Sequence, residues 1–146
     1  MKILIVSDTH GNEFKEEILS KEKDVDIFLH AGDSLFYDYD LYPFISVKGN
    51  CDFYLEFNEL YSFKTPYGKL LMRHIPFTLS EIEKYEKEGF KIFVHGHTHI
   101  RKAEQLERGV YIFNPGSLFY PRDGKPGSYL ILDIYENEIK YEFKVY

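Results

Sequence analysis

Ile3-Leu4-Ile5-Val6-Ser7-Asp8-Thr9-His10 begins as a continuous apolar run and ends in a carboxylate and an imidazole two residues apart, with Gly11-Asn12 breaking the pattern behind them. Such a run, bounded by turn formers, reads as a strand buried on both faces. Glu13 to Lys21 follows with Phe14, Ile18 and Leu19 at helical spacing. A second apolar run, Ile27 to Ala31, closes on Gly32-Asp33. Strand, helix, strand favours a parallel pair joined by a right-handed crossover. A shorter strand is expected over Ile45 to Lys48, closed by Gly49-Asn50-Cys51-Asp52.

Beyond Leu60 the pattern changes. Leu60 to Lys64 and Leu70 to His74 flank the turn cluster Thr65-Pro66-Tyr67-Gly68, which reads as an antiparallel hairpin. Thr78-Leu79-Ser80-Glu81 has capping-box form and opens a helix to about Glu88, which Gly89 ends. Ile92 to His95 is another buried strand. Ala103 to Glu107, Val110 to Phe113, Tyr129 to Tyr135 and Ile139 to Val145 complete the β elements, with Glu136-Asn137 as the last turn. Mixed strand directions with two helices predict an α/β fold, a two-sheet mixed β-sandwich flanked by helices. No repeat or linker interrupts it, so residues 1–146 read as a single domain.

The composition limits the partners. A formal net charge of −6 gives no general attraction for nucleic acid or an anionic membrane surface, so phosphate binding requires a local cationic site. The first apolar run is too short for a signal-peptide core or a membrane span, and the lone Cys51 excludes an intrachain disulfide. The expectation is a soluble cytoplasmic protein. Phe and Tyr supply all of the 18% aromatic content and crowd the segment from Phe36 to Phe63. Core plus a homodimer or homotetramer interface is the plain reading of that crowding. A stacking platform for a nucleobase is the sharper one.

The polar residues that carry chemistry share one place, the carboxyl ends of the expected strands. Asp8 and His10, Asp33, Asn50, His74, and His97 with His99 all follow such runs. In α/β sheets, sites form outside those ends. Imidazole, carboxylate and amide oxygen without thiolate suit Mn2+, Ni2+, Zn2+ or Fe2+. If the chain is extended there, residues two apart point the same way and chelate one centre. Gly32, Gly49 and Gly96 precede ligands, where they permit tight turns and close approach. Seven ligands exceed the need of one ion, and a bridging carboxylate between two ions is the economical arrangement.

D-x-H, G-D, G-N-C-D, a lone His and G-H-x-H, in that order, resemble the calcineurin-like metallophosphoesterase superfamily. The small size, G-N-C-D, Asn114-Pro115-Gly116-Ser117 and Pro121-Arg122 are similar to its short YfcE-type phosphodiesterase branch. The resemblance implies a four-layer α-β-β-α fold and two divalent metal ions, Mn2+ first. It implies that Asp8, His10 and His99 hold one ion, that Asn50, His74 and His97 hold the other, and that Asp33 bridges them. It makes Asp33, Asn50 and His74 catalytic, and puts Asn50, His74 and Arg122 against a small phosphate-ester substrate. Two carboxylates against two divalent ions leave a local charge of about +2. A bridging water, its pKa lowered from ~15.7 toward ~7, would attack phosphorus in line with the leaving oxygen.

Two positions depart from the superfamily pattern. Many members carry His after the Asn of the third motif, where it protonates the leaving group or stabilises phosphate; Cys51 stands there. A neutral thiol serves poorly in that role, so the general acid is unassigned and good leaving groups are favoured. Ile75-Pro76 stands where Gly usually follows the lone His, which reshapes that side of the cleft. His30 reads as packing or support for a ligand, and His95 as a supporting hydrogen bond. Asp52 is either a partner of a ligand or a turn residue, and Arg122 either a phosphate contact or a surface charge. A rival function is a protein-binding scaffold like the retromer subunit of this fold, which the complete ligand set disfavours. A single-strand nuclease is the other, disfavoured by the lack of a basic balance.

Overall fold

The computed structural model describes residues 1–146, and the chain forms β1 (Lys2–Val6), α1 (Lys15–Lys21), β2 (Ile27–His30), α2 (Asp38–Leu41), β3 (Phe44–Ser46), β4 (Tyr61–Thr65), β5 (Gly68–Met72), α3 (Leu79–Glu86), β6 (Phe90–Val94), β7 (Lys102–Gln105), β8 (Tyr111–Asn114), β9 (Ser128–Ile134) and β10 (Ile139–Val145). One five-stranded sheet has the order β10-β9-β1-β2-β3 and the other β4-β5-β6-β8-β7. β1, β2 and β3 run parallel, as do β5, β6 and β8. The remaining pairs are antiparallel, among them the expected β4–β5 hairpin.

Side-chain alternation explains why the sheets face one another. Ile3 and Ile5 point inward against Leu70, Met72, Ile92 and Val94 of the opposite sheet. Leu4 and Val6 point outward and are covered by Phe14 and Ile18 at α1. In the second sheet Leu71, Phe93 and Ile112 point outward under Ile82 of α3. Three apolar interfaces therefore hold four layers, helix, sheet, sheet and helix, as expected. Truncating a fully buried residue such as Ile5 or Phe93 to Ala costs about 2–5 kcal/mol at sites of this kind. No helix is long and apolar enough to cross a membrane.

Several boundaries move, each for a local reason. α1 starts at Lys15 rather than Glu13, and Phe14 precedes it with no capping side chain and its ring in the core. β3 lies one residue earlier than expected and stops at Ser46, since the amide of Lys48 turns away to Asn58 O at 2.8 Å. The single turn α2 has no apolar periodicity to announce it, and it makes a third helix where two were expected. The capping box stands: Glu81 N–H donates to Thr78 Oγ1 at 3.2 Å, and Thr78 N–H donates to Glu81 Oε1 at 2.9 Å. β7 ends at Gln105, and a 3-10 turn over Glu107–Gly109 with left-handed Arg108 replaces its expected last residues.

Candidate metal centre

Parallel strands bring their carboxyl ends to one edge of each sheet, and the packed sheets bring the two edges together. β1 and β2 deliver Asp8, His10 and Asp33, and the loop after β3 delivers Asn50. His74 follows β5, and His97 and His99 follow β6. All seven expected ligands converge. His99 Nε2 lies 3.3 Å from Asp8 Oδ1, His74 Nε2 3.8 Å and His10 Nε2 3.9 Å from the same oxygen. Asp33 Oδ2 stands 3.2 Å from His74 Nε2 and 4.0 Å from His10 Nε2. Asn50 Oδ1 lies 3.0 Å from His74 Nε2 and 3.1 Å from His97 Nδ1.

Each carboxylate has one oxygen held by the protein and one presented to the cluster. Asp8 Oδ2 accepts from Ser7 Oγ at 2.7 Å and from His97 N–H at 3.1 Å. Asp33 Oδ1 accepts from Cys51 N–H at 2.8 Å. The imidazoles are oriented in the same way. His74 Nδ1–H donates to Ala31 O and His99 Nδ1–H to Tyr120 O, both at 2.7 Å, which turns each Nε2 toward the carboxylates. Fit to a cation rests on two atoms. Asp8 Oδ1 and His10 Nε2 are buried without a hydrogen-bond partner, although buried polar atoms are almost always paired. Ligand atoms of Asp8, His10 and His99, of Asp8, Asp33 and His74, and of His10, Asp33 and Cys51 each lie within 4.8 Å of one another. Asp33 meets a residue of each expected ligand set, and so does Asp8.

The charges follow from this packing. Burial favours the neutral carboxyl of Asp33, but the His74 hydrogen bond and charge outweigh it and hold its pKa at about 2. Burial opposes protonation of His74, yet Asp33 and Asp8 raise its pKa; the Asp8 carboxylate, 3.3 Å from His99 Nε2, raises that of His99 against burial. The site is thus a set of ionised carboxylates that attract cations.

Asp8 and His10 meet at one centre without the extended chain considered for them. The ligand pairs two apart do not lie on extended chain: Asp8 and His10 have φ of 54° and 47°, and His97 and His99 have 70° and 60°. Left-handed backbone is costly for residues with a Cβ and concentrates at functional sites. Here it is held by hydrogen bonds from Asp8 N–H to Gly32 O and from His10 N–H to Asp33 O, both 3.0 Å. The glycines act mainly through close approach. A Cβ on Gly49 would overlap Asp33 Oδ1, and one on Gly96 would overlap Ser7 Oγ.

The supporting residues fall into place around the ligands. His30 is fully buried; its Nδ1 accepts from Gly32 N–H at 3.1 Å, so its Nε2–H donates to Thr9 Oγ1 at 2.9 Å and ties the first two motifs together. Burial lowers its pKa to about 3, so it stays neutral. Asp52 belongs to the site: its carboxylate accepts from the amides of Asp33 and Gly49, both at 2.8 Å, and of Leu35 at 3.1 Å. Asn114 holds the Gly96–His99 loop through Gly96 O and Thr98 Oγ1. Ser117 Oγ donates to Asp8 O at 2.8 Å. His95 is buried and contacts Gly96 O rather than the cluster. Arg122 N–H donates to His99 O at 3.0 Å, and its charge lies near enough to oppose protonation of His99. Burial, then the Asp33 carboxylate, push the Cys51 thiol pKa up, which agrees with an unreactive cysteine. Sequence reasoning missed Ser7 and Tyr120; a serine and a loop tyrosine carry no local signal of what they hold.

Fold and site together define a class, the metal-dependent phosphoester hydrolase architecture. Residues 1–137 match the model of the calcineurin-like phosphoesterase superfamily domain, and the chain belongs to that family. It is 36% identical to the probable metallophosphoesterase YsnB of Bacillus subtilis over 94% of this chain and 86% of that one. It is 34% identical to the phosphodiesterase YfcE of Escherichia coli K12, over 61% of this chain and 52% of that one. A predicted phosphoesterase from Streptococcus pneumoniae TIGR4 superposes with a TM-score of 0.84 at 29% identity, covering 99% of this chain and 88% of that one. Zinc-complexed Vps29 of Entamoeba histolytica superposes at 0.70 with 22% identity, covering 99% and 98%, and shares the fold.

Proposed function

We propose that the protein is a binuclear metal-dependent phosphodiesterase acting on small or nucleotide-like phosphate esters. The observation that carries this reading is the pair of buried, unpartnered ligand atoms, Asp8 Oδ1 and His10 Nε2, inside a convergence of seven donors. Asp8, His10 and His99 would hold one ion, Asn50, His74 and His97 the other, and Asp33 both. Mn2+ fits this nitrogen and oxygen set, as do Ni2+, Zn2+ and Fe2+. Bound ions supply positive charge for the phosphoryl oxygens and an acidified water as nucleophile.

The chain's own residues do the rest. Cys51 N–H fixes Asp33, and the carbonyls of Ala31 and Tyr120 fix the imidazole tautomers. Asn50 and His74, at the open side of the cluster, line a cleft where an ester group would lie. Arg122 at the rim would add charge for a phosphoryl oxygen. No side chain stands out as general acid, so esters with good leaving groups should turn over best. The Vps29 likeness favours a scaffold as second reading, and since a zinc-complexed Vps29 is among the neighbours, turnover rather than metal binding separates the two.

Hydrolysis of bis-p-nitrophenyl phosphate beside p-nitrophenyl phosphate tests the proposal, with Mn2+, Ni2+, Zn2+ or chelator, on the wild type and Asp33→Ala. Diester turnover that needs metal and vanishes in Asp33→Ala is the expected result. Folded protein inactive with every ion would move the scaffold reading to first place.

A further inference from the structure

A cleft of about 430 Å³ opens beside Asn50 and His74, within the usual range for small-molecule sites. Its walls are the Phe53 ring, Leu60, Ile75 and Tyr85, and its polar groups include Lys48 and Glu59. Three of these apolar side chains are exposed: Phe53 at 77%, Ile75 at 47% and Leu60 at 45%. Their convergence on one cleft that adjoins the metal centre is not accounted for by packing. Ile75, at the departure from the family pattern, forms one wall. Arg73 also borders the cleft but is no free cation. Its guanidinium is held by Glu81 at 2.6 and 2.7 Å and by the carbonyls of Ile75 and Pro76, and it lies over the Phe77 ring.

We propose that this cleft is a nucleoside subsite, where the base of a nucleotidyl phosphodiester stacks on Phe53 and meets Lys48 and Glu59 through its polar edges. The inference rests on the phosphodiesterase reading and names its substrate class. Lys48 and Glu59 line the same cleft, and neither side chain makes a hydrogen bond or ion pair within the protein. One cation and one anion offer a donor and an acceptor with little net charge. A second phosphate would meet Glu59, and an aliphatic chain would bury both charges unpaired. A neutral planar heterocycle carrying donors and acceptors satisfies the charged groups and the flat apolar walls together. Stacking on an exposed aromatic ring is the usual way a base is held without sequence preference.

The test compares kcat/KM for the p-nitrophenyl ester of thymidine 5′-phosphate with that for methyl p-nitrophenyl phosphate, which shares the diester and the leaving phenolate. The wild type should prefer the nucleoside ester by about tenfold or more, the scale of one base–aromatic stack. Phe53→Ala should remove most of that preference and Lys48→Met part of it. Tyr39→Ala, an exposed tyrosine outside this cleft, should leave the ratio unchanged. A wild-type ratio near one, or a ratio that Phe53→Ala does not move, overturns the subsite. If neither ester is hydrolysed with any metal, the phosphodiesterase reading fails, and calorimetry decides the subsite separately. Tighter binding of thymidine 5′-phosphate than of inorganic phosphate, lost in Phe53→Ala, would uphold it; equal affinities would overturn it.

Discussion

Replacing Asp52 by Asn changes one atom in a fully buried side chain, and its consequences can be worked from the hydrogen bonds. Oδ2 of Asp52 accepts the amides of both Asp33 and Gly49, and Oδ1 accepts that of Leu35. The loop after β2 is thereby fastened to the loop after β3, and Asp33 to the peptide preceding Asn50. An asparagine that keeps its oxygen toward Asp33 and Gly49 must aim its NH2 at the Leu35 N–H, leaving two donors face to face at a part-buried contact. Losing one charge-assisted bond and weakening two others costs about 2–3 kcal/mol. For a chain of this length that is a fall in melting temperature of about 5–10 °C. The ligands are also loosened, so Mn2+ affinity should fall about 10–100-fold. Thermal unfolding with and without Mn2+, and a metal titration against a chromophoric chelator, measure the two effects. Asp26→Asn is the control, since Asp26 accepts from the exposed Lys2 amide far from the site. An Asp52→Asn protein that melts within about 1 °C of wild type and binds Mn2+ equally would refute the clamp.

Other perturbations test separate parts of the argument. Gly96→Ala puts a Cβ into Ser7 Oγ and within 2.8 Å of Asp8 Oδ2, so metal affinity should drop at least about tenfold while much of the fold survives; an unchanged calorimetric affinity would contradict it. Away from the site, Glu22 is buried against Tyr129 OH at 2.6 Å and Lys144 Nζ at 2.9 Å. Burial favours its neutral form, but Lys144 and Tyr129 outweigh that and hold its pKa below the ordinary 4.5. A depressed folded pKa gives stability that is complete above 4.5 and disappears as pH falls through the lower folded value. Glu22→Gln should therefore cost about 1–3 kcal/mol at pH 7, and urea titrations should find the gap closing toward pH 3; a gap independent of pH would count against the ion pair.

Much of this centre is legible in the sequence because its signals are local. An apolar run followed by Asp-x-His, or by Gly-His-x-His, states in a few adjacent residues both a strand and the ligands at its end. Repetition of that grammar at several strand ends picks out seven residues that the fold brings together, and the Thr78–Glu81 capping box fixes the start of α3 equally locally. The tertiary structure decided what depends on distant groups. His97 N–H reaches Asp8 Oδ2 from 89 residues away and determines which oxygen of Asp8 is left for a cation. By its neighbours Asp52 is either a partner of a ligand or a turn residue; the amides that fold around it make it the former. The left-handed ligand pairs come from hydrogen bonds between strand-end loops, a geometry that the spacing of two residues leaves open. The cleft beside His74 likewise joins Lys48, Phe53, Leu60, Ile75 and Tyr85 from separate segments. Chemistry type is written in the residues; the satisfaction of each polar atom, and so its freedom to bind, is set by what packs against it.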